Sequence, residues 1–280
     1  MATKKQERDR AARRAQRVAA NTERKAEIRA RRQRGAAVVA AVVVVLGIVV
    51  ALGLLNRGDS TGDAALPAGG ADAAVPTAAA DAADAAGCSA APAVPGTASE
   101  LDLPDAAEAA GTTYDATLTT NCGDIELRLD GTKAPQAVAS FLQLARTGYW
   151  NDSPCHRLTD SGSLKVLQCG DPTGTGTGGP GYGFGVENAP SDGRYPRGTL
   201  AMARTADPET GNGGQFFIVY GDSELPDPDG YTVFGTVTAG LDIVDRVAAQ
   251  GVASSSGSPT DGAPAAPISI LRVAVTEEKS

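Results

Sequence analysis

The chain has 280 residues, room for one or two domains, and its net charge of −8 averages two unlike parts. Residues 1–34 carry thirteen Lys or Arg against four acids, a local charge of +9, with no aromatic side chain to stack on bases, so a nucleic-acid partner is not expected. A single His, and four Cys without a C-x-x-C pair, give no support to a metal centre.

After the basic tail (1–34) comes GAAVVAAVVVVLGIVVALGLL, Gly35–Leu55, twenty-one residues without a charge. As a helix that run spans roughly 30 Å, the thickness of a bilayer core. A cleaved signal peptide is the competing reading, but its apolar region runs to only about 7–15 residues, so a retained transmembrane helix (35–55) is expected. Arg57 is the only basic residue between Asn56 and Leu127, so the positive-inside rule places the tail in the cytoplasm and everything after Asn56 outside.

Residues 56–112 are dominated by Ala, Gly, Pro, Asp, Ser and Thr without apolar periodicity, and a flexible tether is expected. The AAGC ending at Cys88 has no apolar run before it, which argues against lipidation. Four cysteines on the extracytoplasmic side allow three disulfide pairings. Cys155 and Cys169 flank the hairpin HRLTDSGSLKVLQ, where facing strand positions bring them into range, which leaves Cys88 with Cys122. A zinc site built from these thiolates and His156 is the weaker alternative.

From Thr113 to about 277 the pattern is that of a folded domain. TYDATLTTNCGDIELRLD reads as a hairpin with Ile125, Leu127 and Leu129 on one face. APQAVASFLQLARTG reads as a helix, with Pro135 in its first turn, Val138, Phe141, Leu142 and Ala145 at helical spacing and Gly148 at its end. Short strands are expected around Thr199–Ala203, Gln215–Tyr220 and Thr232–Val237, then a second helix in LDIVDRVAAQG and a closing strand in ISILRVAVT. Many short strands with two helices suggest a mainly β domain, a closed antiparallel barrel with helices at its ends.

The segments CHR (Cys155–Arg157), QCGDPTGTGTGGPGYGF from Gln168, YPRGTLAMAR, NGGQFFIVYG and YTVFG together resemble the cyclophilin family of peptidyl-prolyl isomerases, over about Tyr114–Thr276. The resemblance implies a closed eight-stranded barrel capped by two helices. It also implies rotation about X-Pro bonds, whose partial double-bond character sets a barrier of about 18–20 kcal/mol. That rotation needs no nucleophile, metal or cofactor. It needs a donor to draw the prolyl nitrogen lone pair out of conjugation, a polar group to hold the carbonyl and an apolar pocket for the ring.

By the same resemblance Arg157 is the catalytic arginine and Gln168 binds substrate backbone. Phe217 floors the proline pocket, with Gln215 on the same strand face because side chains alternate, and Phe216 on the other. Ala203 and Arg204 correspond to a Met-Ala-Asn segment whose backbone contacts the residues before proline, Arg204 standing in place of Asn. Leu225 falls near a tryptophan of many eukaryotic members and Tyr231 near a histidine. TDSGSLKV, after Arg157, is longer than the family's usual turn and lacks its pocket phenylalanine, with Leu164 or Val166 as substitutes. Asn212 and Gly213 match a turn beside a second, shallower pocket.

His156 sits on the opposite face from Arg157 and is expected to make a buried structural hydrogen bond, which disfavours a Cys155–His156 dyad. The run Gly174 to Gly179 satisfies G-x-G-x-x-G, but Pro180-Gly181 follows where a helix would have to start, so a phosphate site is excluded. Trp150 is expected to pack after the first helix. The resulting expectation is a membrane-anchored, monomeric, extracytoplasmic isomerase acting on proline-containing segments of unfolded or exported proteins. The alternative is a cyclophilin-fold peptide-binding or chaperone module with little turnover.

Overall fold

The computed structural model describes residues 78–277. The basic tail, the expected membrane helix and the first part of the expected tether lie outside the described residues. Among the described residues no helix is long and apolar enough to cross a membrane.

Where a flexible tether was expected, the chain forms helix α1 (Ala78–Ala86) and then an extended strap. Ala83 and Ala86 are buried, Cys88 is disulfide-bonded to Cys122, and the strap donates from Ser89 to the Asn121 carbonyl, from Gly96 to Pro172 and from Leu101 to Pro180. Gln136 and Gln143 reach back to the carbonyls of Pro104 and Asp102.

Strands β1 (Thr113–Thr120) and β2 (Gly123–Asp130) form the expected hairpin. Its register sets Tyr114 opposite Leu129, Ala116 opposite Leu127 and Leu118 opposite Ile125, so the period-two apolar sets of both strands meet on one buried face. Helix α2 (Pro135–Arg146) opens on Pro135 and lacks a side-chain cap of its own. The Glu187 carboxylate, from a distant loop, instead accepts from the free N–H groups of Gln136 and Ala137 at 3.1 and 2.9 Å. Phe141 on its apolar stripe packs against Trp150, Phe216 and Phe234 with ring centroids 4.7, 5.9 and 5.7 Å away.

The remaining elements are β3 (Ser153–Pro154), β4 (Arg157–Ser161), β5 (Leu164–Cys169), β6 (Arg194–Tyr195), β7 (Thr199–Arg204), β8 (Asn212–Gly221), β9 (Ser223–Glu224), β10 (Val233–Ala239), α3 (Leu241–Ala249), β11 (Asp261–Gly262) and β12 (Ser269–Glu277). Arg246 of α3 donates to the last carbonyl of α1.

The closed eight-stranded barrel with two helices is corrected to an open, curled ten-stranded sheet with three α-helices among the described residues. Its order is β11-β4-β5-β8-β7-β10-β2-β1-β12-β3, and β6 pairs separately with β9. Both edges are short strands joined by short links: β3 runs into β4 through residues 155–156, and β11 into β12 through residues 263–268. These links draw the edges together without a hydrogen-bonded ladder between them.

The sheet carries an apolar cluster on each face. Phe216, Ile218 and Tyr220 of β8 belong to the large core with α2, whereas Phe217 and Val219 belong to a smaller cluster with Val166, Tyr195 and Ala201. The alternation expected for Phe216 and Phe217 is therefore observed. The second disulfide, Cys155–Cys169, pins the start of β4 to the end of β5. The four cysteines pair as expected.

Candidate active site

Register explains why the singled-out residues meet. Arg157 of β4 pairs with Gln168 of β5, Gln168 with Phe217 of β8, and Phe217 with Ala201 of β7, so one row crosses four neighbouring strands. Side chains two residues along each strand share that face, which adds Leu164 and Val166, Gln215 and Ala203. The result is a depression of about 160 Å³ lined by Arg157, Leu164, Val166, Gln168, Ala203, Arg204, Phe217, Leu225 and Tyr231. Both substitutes for the missing phenylalanine, Leu164 and Val166, line it. A wider depression of about 420 Å³ adjoins it, sharing Gln168, Ala203 and Arg204 and bounded by Asn212, Gly213 and the glycine run.

A continuous hydrogen-bonded chain runs along the floor. The Asp261 carboxylate accepts from Arg157 Nε at 2.7 Å and Nη2 at 2.8 Å, while Arg157 Nη1 donates to Gln168 Oε1 at 3.3 Å. Gln168 Nε2 donates to Gln215 Oε1 at 2.9 Å, and Gln215 Nε2 donates to the carbonyls of Gly176 and Gly178. The hydrogen bond to Asp261 raises the Arg157 pKa against the opposing effect of burial, so the guanidinium stays charged. Gln215 thus shares the face of Phe217 and lines the wider depression, but its amide is spent on bracing a loop.

Asp171 holds that loop from below. Fully buried, it accepts from Thr173 N and Oγ1 at 2.8 and 2.7 Å and from Gly178 N at 3.1 Å, and the hydroxyls of Thr173, Thr175 and Thr177 chain together at 2.8 Å. A Cβ at Gly178 would lie 2.1 Å from an Asp171 oxygen, so a glycine is required there. The run is scaffolding, in line with its failure as a phosphate motif.

Arg204 does not extend into the open. Its side chain is 4% exposed, pairs with Asp227 at 2.6 Å, donates to the Gly230 and Thr205 carbonyls and lies 4.9 Å from the centroid of Tyr231. Tyr231 stacks edge-on to Phe217 and Tyr195, forming an aromatic wall. His156 is corrected: its Nδ1 is buried with no hydrogen-bond partner among the described residues, in place of the structural hydrogen bond expected. Burial lowers its pKa, which Asp171 opposes. Trp150 is buried as expected, its indole N–H on the Gly214 carbonyl.

Residues 116–275 match the family model described as cyclophilin type peptidyl-prolyl cis-trans isomerase/CLD. The chain belongs to the cyclophilin-type isomerase family. This cyclophilin is 45% identical over 170 residues to a probable peptidyl-prolyl cis-trans isomerase B of Mycobacterium leprae, covering 56% of this chain and 55% of the relative. It is 42% identical over 143 residues to a peptidyl-prolyl cis-trans isomerase of Helicobacter pylori, covering 50% of this chain and 83% of the relative. A crystal structure of a Cryptosporidium parvum cyclophilin matches at 31% identity and a TM-score of 0.48, covering 60% of this chain and 99% of that one. The cyclophilin spans about half the length of the mycobacterial relative.

Sequence reasoning missed Asp261, Asp171, Tyr195 and Asp227. Asp261 lies in a Gly/Ser/Pro/Ala stretch without periodicity, so no local signal marks it. Asp171 and the alternating threonines did have a signal, the T-G-T-G-T repeat beginning two residues after the acid.

Proposed function

We propose that this cyclophilin accelerates rotation about X-Pro bonds without covalent chemistry. Arg157 is the donor that draws the prolyl nitrogen lone pair out of conjugation, Gln168 holds the neighbouring carbonyl, and Phe217, Leu164, Val166 and Tyr231 seat the ring. The observation that carries this reading is the charged Arg157 on the wall of an otherwise largely apolar depression of about 160 Å³, beside Gln168. A charge held where the amide loses conjugation stabilises the transition state more than the ground state. The backbone of Ala203 flanks the site, and Arg204 acts through its position against Tyr231 because its donors are already engaged.

The clients we infer are proline-containing segments of exported proteins, met by a monomer anchored through Gly35–Leu55. Unassisted X-Pro isomerisation takes tens to hundreds of seconds, long enough to limit folding after export. The test is an X-Pro isomerisation assay on the full chain beside Arg157→Ala. We expect the variant to lose about a hundredfold in kcat/KM, equivalent to about 2.7 kcal/mol. Equal, slow rates for both with peptide binding retained would leave a peptide-binding module in its place.

A further inference from the structure

Residues 251–267, GVASSSGSPTDGAPAAP, have no apolar periodicity, yet they are fixed at both sides of β11. Asp160 N donates to the Thr260 carbonyl at 2.9 Å, Ala253 N to Ala263 at 2.8 Å, Ala263 N to Ser256 Oγ at 3.1 Å and Ala265 N to Gly251 at 2.9 Å. A Cβ at Gly262 would fall 2.2 Å from that of Ser256, so the chain packs closely there. The register of β11 on β4 then sets Asp261 opposite Thr159, two residues from Arg157.

From this geometry we propose that Asp261 is a positioning residue for turnover, locking the Arg157 guanidinium so that Nη1 is the nitrogen presented at the prolyl site. The inference rests on Arg157 being the catalytic donor. Arginine has a long, freely rotating stem, and a single contact would leave its plane undefined. Asp261 takes Nε and Nη2 together, at 2.7 and 2.8 Å, and a two-point contact fixes both plane and direction. The nitrogen left over, Nη1, is the one beside Gln168 on the pocket wall.

The pair is half exposed, 40% for Arg157 and 48% for Asp261. Exposed pairs contribute little to stability, so the fixed geometry has its value in orienting the donor. Asp261 is outside the depression that seats the ring, so its effect runs through Arg157 alone.

The test compares wild type, Asp261→Asn, Asp261→Glu and Arg157→Ala as full chains, measuring kcat and KM on an X-Pro tetrapeptide, thermal unfolding, and the Arg157 Nε–H resonance by NMR. Asp261→Asn is expected to lose about ten- to a hundredfold, the scale of a small misplacement of a catalytic group. The loss should fall on kcat with KM within twofold, an unchanged unfolding midpoint and a displaced, broadened Arg157 Nε–H resonance. Asp261→Glu, which restores the carboxylate, should recover most of the rate. An unchanged or raised kcat in Asp261→Asn overturns the proposal, as does a loss that tracks unfolding or one that Glu fails to relieve. If Arg157→Ala is inactive while Asp261→Asn is fully active, this inference falls and the reading of Arg157 stands. A wild type without turnover removes both.

Discussion

At Asp171 a buried carboxylate faces the backbone of a glycine loop, and its charge is a balance of opposed effects. Burial raises its pKa, but hydrogen bonds from Thr173, Gly178 and Gly176 outweigh that and hold it below its ordinary value of 3.8. A depressed carboxyl stabilises the fold fully above 3.8, and that contribution is lost as pH falls through its lower folded value. His156 next to it works at higher pH. Half-buried and neutral, with its pKa pushed below 6.5, it takes up a proton on unfolding in acid, so stability begins to drop as pH falls below 6.5. Urea unfolding across pH should therefore show two separate losses, the upper one removed by His156→Phe and the lower one, to which the Arg157-paired Asp261 also contributes, reduced by Asp171→Asn. At neutral pH Asp171→Asn should itself cost about 1–3 kcal/mol, because an amide cannot accept all the donors aimed at it. A single loss unaffected by His156→Phe would contradict this account.

At the scale of elements, the two disulfides do different jobs. Cys88–Cys122 closes a separation of 34 residues and Cys155–Cys169 one of 14, which chain entropy values at about 4 and about 3 kcal/mol. The first ties down α1 and the strap, whose bonds to Pro172 and Pro180 steady the glycine loop from outside. The second joins the strand ends that carry Arg157 and Gln168. Cys88→Ser should thus lower unfolding free energy by about 2–4 kcal/mol while leaving most of kcat. Cys155→Ser should lose less stability and more turnover. Parallel urea titrations and isomerisation rates on both variants decide the matter, and equal turnover losses would count against it. The strap was illegible in the sequence for the same physical reason that it needs the bond. Its Ala, Pro and Gly residues bury little area, and backbone hydrogen bonds to Pro172 and Pro180 leave no side-chain pattern. The pocket row of Arg157, Gln168 and Phe217 was legible through the family resemblance, and period-two alternation added only that Gln215 shares a face with Phe217 while Phe216 and His156 point the other way. The open sheet was not, since whether β3 and β11 complete a ladder depends on backbone register between edges far apart in sequence, and β11 is only two residues long.

Across the whole molecule charge is segregated. The first 34 residues hold thirteen of 25 Lys/Arg but only four of 33 acids, so the +9 tail is balanced by −17 over the rest of the chain. In the anchored topology proposed above, an anionic membrane surface would attract the tail and repel the acidic remainder. Under that proposal the positive-inside rule would orient Gly35–Leu55 with the tail in the cytoplasm, and an oxidising outer compartment is where both disulfides would persist. Replacing Arg29, Arg31, Arg32 and Arg34 by Glu, with Lys added after Arg57, should reverse that orientation. In spheroplasts of a bacterial host, added protease should degrade the folded domain of the wild type and spare that of the charge-reversed chain. Thiol alkylation supplies a second readout: the wild-type cysteines should resist modification before reduction, whereas the four cysteines of the reversed chain, held in the cytoplasm, should react at once. A domain that is protected in the wild type, or cysteines that react equally in both, would mean that Gly35–Leu55 does not set the topology.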